Sequence, residues 1–340
     1  MTARGPVAID ARAAARPELG GVERWARELV ARLPALRPGG YVVLRPPPAL
    51  SHRAGHVWEQ LVLPVRSARL GARALLCPAN LAPLASPRCT VVIHDAAALR
   101  HPAWYSRSYA GWQRLLLPVV ARRARLVITV SEFARAELAQ LLGVDAAVVP
   151  GGVDERFTPA ADPEPARRAL ALARPYVLSV ASHTARKNLA ALVPAAHRLA
   201  ADGIDVVVAG GHRPQFAREH GLDALRLLGH VDDALLPGLY AGARAFAQPS
   251  RYEGFGLPVL EAMAAGTPVV AADAAALPET CGGAAVLAEP DGEAFADALA
   301  GLLADAAERT RLRAAGLERA ATFTWDATAA AVDALLAGEI

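Results

Sequence analysis

The chain reads as an α/β protein of two Rossmann-like halves, each a parallel sheet covered by helices. Three observations predict this. Short, apolar, β-branched runs alternate with longer helical stretches, and such strands are the kind buried on both faces of a parallel sheet. The alternation pauses at residues 157–175, FTPAADPEPARRALALARP, and then restarts. The length of 340 residues suits roughly two domains, each with a buried core.

In the first half the strands are expected at 6–11 (PVAIDA), 41–46, 74–79, 90–95 (TVVIHD), 126–131 and 147–152 (AVVPGG). Helical stretches lie at 22–33, just after Gly20-Gly21, and at 56–65, 107–124 and 131–143. The Pro-, Ala- and charge-rich stretch 157–175 marks the boundary and has room for a short helix. The domains are therefore drawn as 1–158 and 159–325, with a C-terminal helix, 326–340, crossing back to the first. Strands of the second half are expected at 176–182, 205–211, 225–230, 245–250, 268–273 and 284–290, followed by two or three helices from about 292 to 339.

Composition narrows the function classes. Hydrophobic residues make up 54%, much of it Ala, and no run of about 20 strongly apolar residues is present, so no transmembrane helix is expected. The first residues, MTARGPVAID, lack the pattern of a signal peptide. Three scattered cysteines, Cys77, Cys89 and Cys281, fit reduced thiols in a cytoplasmic protein better than a disulfide or zinc framework. Residues 1–165 carry 21 Arg against 13 acids, and the remainder 15 basic against 20 acidic residues. The basic half suggests a peripheral encounter with an anionic membrane face. At 5% aromatic, without a basic-aromatic module, a nucleic-acid partner is not expected.

Of 36 basic residues one is a lysine, Lys187, and the chain has two asparagines, Asn80 and Asn188. A GC-rich coding sequence accounts for the arginines. A lysine surviving that bias is either chance or a place where a compact point charge serves and a flat fork does not.

In open parallel sheets ligands bind at the carboxyl ends of strands, and two such sheets would offer a cleft between domains. The stretch 249–273, PSRYEGFGLPVLEAMAAGTPVVAAD, passes from a strand end through a glycine turn into a helix. Glycines let backbone approach a ligand, and free N–H groups at a helix start attract oxygens. Glu253 on the turn and Glu261 two helical turns later can accept hydrogen bonds from paired hydroxyls. The plainer reading is an acid favouring the helix dipole and a second, solvated acid.

This stretch resembles the E-x7-E region of retaining, nucleotide-sugar-dependent glycosyltransferases of the GT-B type (glycosyl transferases group 1). The resemblance runs over most of the chain, through GGVERWARELVARL (20–33), VVIHDAAALRHPAWYS (91–106), ITVSEFAR (128–135), VVPGGVDERF (148–157), ARKNLAAL (185–192), LLGHVDDALLPGLYAGARAFAQPS (227–250) and LPETCGGAAVL (277–287). It implies a donor site. Glu261 would bind ribose hydroxyls. Glu253, with the N–H groups of Gly254, Phe255 and Gly256, would hold the donor sugar. Lys187 would neutralise the departing diphosphate, and Gly20 and Gly21 would offer N–H groups to the same phosphates. His94 would lie near the reaction centre, and His230 and Val231 beside the nucleobase. His94, Lys187 and Glu253 are the expected catalytic residues. The family commonly has an Arg where this chain has Ser182, and Arg186, adjacent to Lys187 in sequence, is the candidate for the second diphosphate cation.

The resemblance implies a metal-independent transfer of a hexose or deoxyhexose from a nucleoside diphosphate sugar to a glycan, lipid-linked or small-molecule acceptor. It implies no further cofactor, and no convincing Asp-x-Asp stands at a strand end. The alternatives are an epimerase or phosphorylase on the same fold and a non-catalytic sugar-nucleotide-binding subunit. A dinucleotide oxidoreductase is disfavoured, because PELGGVERW replaces G-x-G-x-x-G after the first strand.

Overall fold

The structure is a computed structural model, and it describes residues 5–16, 20–51, 55–86, 89–211 and 219–338. The chain packs as two compact units. The first comprises residues up to Arg100, Ala110–Gly152 and the chain from Thr324 onward; the second comprises His101–Tyr109 and Val153–Phe323.

The first unit is built on six strands, β1 (Val7–Asp10), β2 (Tyr41–Leu44), β3 (Ala74–Cys77), β4 (Cys89–Val92), β5 (Leu126–Thr129) and β6 (Ala147–Val148). They run parallel in the order β2-β1-β3-β4-β5-β6. Strands β1, β3 and β4 are buried along their whole length, which explains their lack of alternation. Helix Gly21–Leu36 lays Trp25, Leu29 and Leu33 inward, one residue per helical turn. Helix Glu132–Leu142 starts where the Ser131 hydroxyl accepts from the Ala134 N–H at 3.0 Å and ends at Gly143, φ 68°.

Two sequence expectations change here. Strand 147–152 shrinks to two residues, because Pro150 cannot donate to a ladder and Gly151-Gly152 leads away. The helix expected at 56–65 is a run of Gly55–Val57, a π-helical turn at Trp58–Val62, and Leu63–Arg69. The wider turn aims two successive side chains inward. The Trp58 Nε1–H donates to Asp10 Oδ1 at 2.9 Å, and Glu59 accepts from Arg12 Nε at 2.8 Å. The last helix, Trp325–Gly338, belongs to this unit. Asp326 meets Arg32 at 2.7 Å, Asp333 accepts from the Tyr41 hydroxyl at 2.5 Å, and Thr328 donates to the Pro150 carbonyl at 2.8 Å. Residues 339–340 of the helix expected over 326–340 lie outside the described residues.

The second unit holds β7 (Tyr176–Val180), β8 (Asp205–Ala209), β9 (Arg226–Gly229), β10 (Ala245–Gln248), β11 (Val269–Ala272) and β12 (Val286–Ala288). The sheet is again parallel, in the order β12-β11-β10-β7-β8-β9. The unit begins at Val153, whose N–H bonds the Phe323 carbonyl at 2.9 Å. Phe157 then packs edge-on against Tyr240, so the chain is anchored before the Pro-rich stretch, which contains the short helix Glu164–Ala169. His101–Tyr109 joins this unit through Trp104 and His101, whose rings meet Tyr252.

Candidate donor site

Strands β7 and β10 are neighbours in the second sheet, so the loops leaving their carboxyl ends lie side by side. These loops carry Lys187 and Glu253. The Lys187 Nζ stands 2.6 Å from Glu253 Oε1, with both residues buried. The same carboxylate oxygen accepts from Gln248 Nε2 at 2.8 Å and Ser250 Oγ at 2.7 Å. Arg186 Nη1 approaches the other oxygen at 3.4 Å. Burial alone pushes the Glu253 carboxyl up. The charges of Lys187 and Arg186 and the hydrogen bonds outweigh that and hold it below its ordinary value. The site thus holds a fixed carboxylate and a fixed cation at the place where parallel sheets bind ligands.

Asn188 locks the two loops together. It sits in the left-handed region at φ 54°, and its Nδ2 donates to the carbonyls of Pro249 at 3.0 Å and Pro290 at 2.9 Å. Asn tolerates that backbone better than other non-glycine residues. The other asparagine of the chain, Asn80, is also left-handed at φ 62°, and its Oδ1 accepts from the His94 N–H at 2.8 Å. Both asparagines therefore brace candidate site residues, a role the sequence reading missed. Their rarity in a chain so biased against Asn was an available signal.

Beyond Glu253 the chain turns through Gly254, Phe255 and Gly256 into helix Leu257–Ala264. Gly256 has φ +114°, and a Cβ there would stand 2.9 Å from Leu277 Cδ2. The Phe255 carbonyl accepts from Thr280 Oγ1 at 2.6 Å, which fixes the turn from below. Glu261, on the buried side of that helix, accepts from the Tyr240 hydroxyl at 2.8 Å, so the plainer reading of a solvated acid does not hold. His230 and Val231 follow β9; the His230 side chain is exposed and Val231 is buried. Gly210 ends β8 at φ +130°, where a Cβ would stand 2.2 Å from the Ala181 carbonyl oxygen, so close packing already requires glycine there. Gln248, Ser250 and Tyr240, all fully buried polar partners of the two glutamates, were not singled out in the sequence. Each reads there as an ordinary strand or helix residue.

The remaining predicted residues lie in the first unit. His94 follows β4, is buried, and meets the Trp25 ring edge-on at 5.5 Å. Its Nε2 stands 2.9 Å from the Pro78 carbonyl. A carbonyl can only accept, so the neutral ring carries its proton on Nε2. Burial pushes the His94 pKa down, which keeps the imidazole neutral at neutral pH. Gly20 and Gly21 open helix Gly21–Leu36, but the Gly20 N–H donates to Glu23 Oε2 at 3.0 Å. Arg16 Nη1 holds the other Glu23 oxygen at 3.2 Å. A carboxylate thus occupies the Gly20 N–H expected to face phosphate, as the helix dipole favours; Gly21 is exposed.

Comparison with known proteins places the fold and the family. Residues 174–305 match the model of glycosyl transferases group 1, and residues 65–157 that of glycosyltransferase family 4. An O-antigen chain mannosyltransferase B of Escherichia coli is 31% identical over 256 residues, covering 70% of this chain and 67% of that protein. A D-inositol 3-phosphate glycosyltransferase of Xylanimonas cellulosilytica is 36% identical over 240 residues, covering 63% of this chain and 57% of that protein. Among solved structures, a sucrose-phosphate synthase from Thermosynechococcus elongatus superposes with a TM-score of 0.79 at 23% identity, covering 98% of this chain and 99% of that one. The Anabaena HepE protein in complex with UDP and glucose gives 0.74 at 17% identity, again covering 98% and 99%. The solved structures establish the α/β fold with two six-stranded parallel sheets, the family models and sequence relatives establish the chemistry at its coarsest, and the chain belongs to the glycosyl transferases group 1 family as a glycosyltransferase.

Proposed function

We propose that the chain transfers a hexose or deoxyhexose from a nucleoside diphosphate sugar to a glycan or lipid-linked acceptor, with retention of configuration and without a metal ion. The observation that carries this is the buried contact of Lys187 with Glu253 at the ends of β7 and β10. In the structure these two groups neutralise each other. A nucleoside diphosphate sugar offers each a new partner, its diphosphate to Lys187 and its sugar hydroxyls to Glu253.

In the reaction the bond from the anomeric carbon to the diphosphate oxygen breaks, and the electron pair leaves with the diphosphate. The acceptor oxygen bonds to that carbon on the same face, and its proton passes to the departing phosphate. Negative charge grows on the leaving group, so a cation already in place lowers the barrier. Lys187 supplies it, with Arg186 on the other side of the carboxylate. Glu253 stays ionised and accepts from sugar hydroxyls, and Glu261 accepts from the ribose. His94 contributes a neutral imidazole and its backbone. The kinship with a mannosyltransferase makes mannose the first donor sugar to test, and an O-antigen relative points to cell-envelope glycan synthesis.

Thermal shift with UDP-, GDP-, dTDP- and ADP-sugars identifies the donor base, because a tight ligand raises the midpoint by mass action. With the donor known, Lys187→Ala and Glu253→Ala are each expected to lower kcat by at least about 10²-fold. Near-wild-type turnover in either variant overturns the assigned roles.

A further inference from the structure

Most of the large apolar side chains that the described residues leave exposed gather in one part of the first unit. Seven of ten lie on just two helical runs, 55–70 and 107–123. On the first run Val57, Leu61 and Val65 recur every four residues, which places them on one face, and Leu61 is 66% exposed. On helix Arg107–Arg123, Trp112, Leu115 and Val119 form a second stripe, with Leu115 71% exposed. The buried residues of that helix, among them Leu117 and Val120, point the other way into the core. The two runs touch where the His56 and Trp112 rings meet edge-on at 4.8 Å.

The exposed charge carried by these two runs has one sign. Arg66 and Arg69 on the first run, and Arg114, Arg122 and Arg123 on the second, are all exposed. The single acid on either run, Glu59, is buried against Arg12. On helix Arg107–Arg123, Arg122 and Arg123 flank the apolar stripe on opposite sides at 100° per residue. An apolar face with Trp, fringed by arginine and lacking acids, is the pattern of a helix lying in a bilayer interface.

We propose that this face of the first unit docks on an anionic lipid bilayer, with Leu61, Leu115 and Trp112 entering the headgroup–acyl boundary and the arginines meeting lipid phosphates. A second copy of the chain is the poorer occupant. Two such faces together would set arginine against arginine with no exposed acid on either run to offset it, whereas anionic headgroups supply the missing charge. The proposal concerns the surface alone and does not rest on the sugar-transfer reading.

Flotation with phosphatidylcholine vesicles, with and without phosphatidylglycerol, tests it on the full chain. The protein is expected to float with the anionic vesicles only, less so as salt rises. Leu61→Glu/Leu115→Glu should weaken that binding at least about tenfold, and Arg122→Ser/Arg123→Ser by about fivefold per charge removed. Leu36→Glu, an exposed apolar position outside these two runs, should bind as wild type does. All these side chains are exposed, so thermal midpoints should stay level and separate lost docking from lost folding. Any one of three results overturns the proposal: no flotation of wild type with anionic vesicles, unchanged binding by Leu61→Glu/Leu115→Glu, or a dimer that this variant dissociates while lipid binding persists.

Discussion

Lys187 and Asp10 show how burial sets the chemistry of single groups in opposite ways. Lys187 is buried against Glu253 Oε1, an oxygen that also accepts from Gln248 and Ser250, and a compact ammonium can share such a crowded oxygen end-on where a flat guanidinium fork is shaped to span two. Lys187→Arg should therefore keep the charge and still lose roughly tenfold or more in kcat, read beside Lys187→Ala at saturating donor. Asp10 ends β1 and is buried, and although Trp58 and Arg12 donate to it, burial raises its pKa from 3.8 to about 6. A raised acid binds its proton more tightly when folded. Its favourable contribution is present at low pH and is lost as pH climbs from about 4 through 6. Asp10→Asn removes this dependence, so relative to wild type it should gain about 2 kcal/mol of unfolding free energy between pH 4 and 7. Urea unfolding of both proteins across that range measures it, and parallel pH profiles would refute it. Glu253 has the opposite sign. Its pKa is lowered, so its contribution persists at neutral pH and is lost only as pH falls through that lowered value.

At the scale of elements, the turn into helix Leu257–Ala264 carries a backbone requirement that glycine alone meets readily. Gly256→Ala would force a side chain into φ +114° and against Leu277, at a cost of about 1–3 kcal/mol, visible as a lower denaturation midpoint. Recovery of the full wild-type midpoint would show that the turn can relax. The glycines of that turn, Glu253 on it and Glu261 in the helix beyond stand at a spacing after a strand that the sequence shows. The π-helical turn at Trp58–Val62 was not legible there, since nothing in WEQLV separates 4.4 from 3.6 residues per turn; the buried partners Asp10 and Arg12 decide it from elsewhere in the chain. The partners of the glutamates were hidden for the same reason. Tyr240 lies 21 residues from Glu261, and only the packing of their helices brings them together.

At the scale of the molecule, the end of the chain completes its beginning. Helix Trp325–Gly338 buries Trp325, Val332 and Leu336 within the first unit, each worth about 1.5–3 kcal/mol. Their sum approaches the whole stability of an ordinary domain. Truncation after Phe323 should therefore unfold the first unit while sparing the second. Hydrogen exchange checks this: amides of β1–β5 should lose protection and those of β7–β11 retain it. Equal protection of both sheets would mean that the helix is dispensable.

The sequence by itself determined the two parallel sheets, because a strand buried on both faces must be apolar throughout and its helices must carry a 3.6-residue period. It also determined that Lys187, Glu253 and Glu261 stand at strand ends and helix starts, where local punctuation by Gly and Pro is readable. Only the tertiary structure decided whom these groups meet. Lys187 and Glu253 are 66 residues apart in the chain and 2.6 Å apart in space. The Gly20 N–H faces a carboxylate of its own helix, and His101–Tyr109 leaves its sequence neighbours for the second unit. Such pairings depend on the order in which strands enter a sheet and on the packing of whole helices, and no local pattern of residues encodes either.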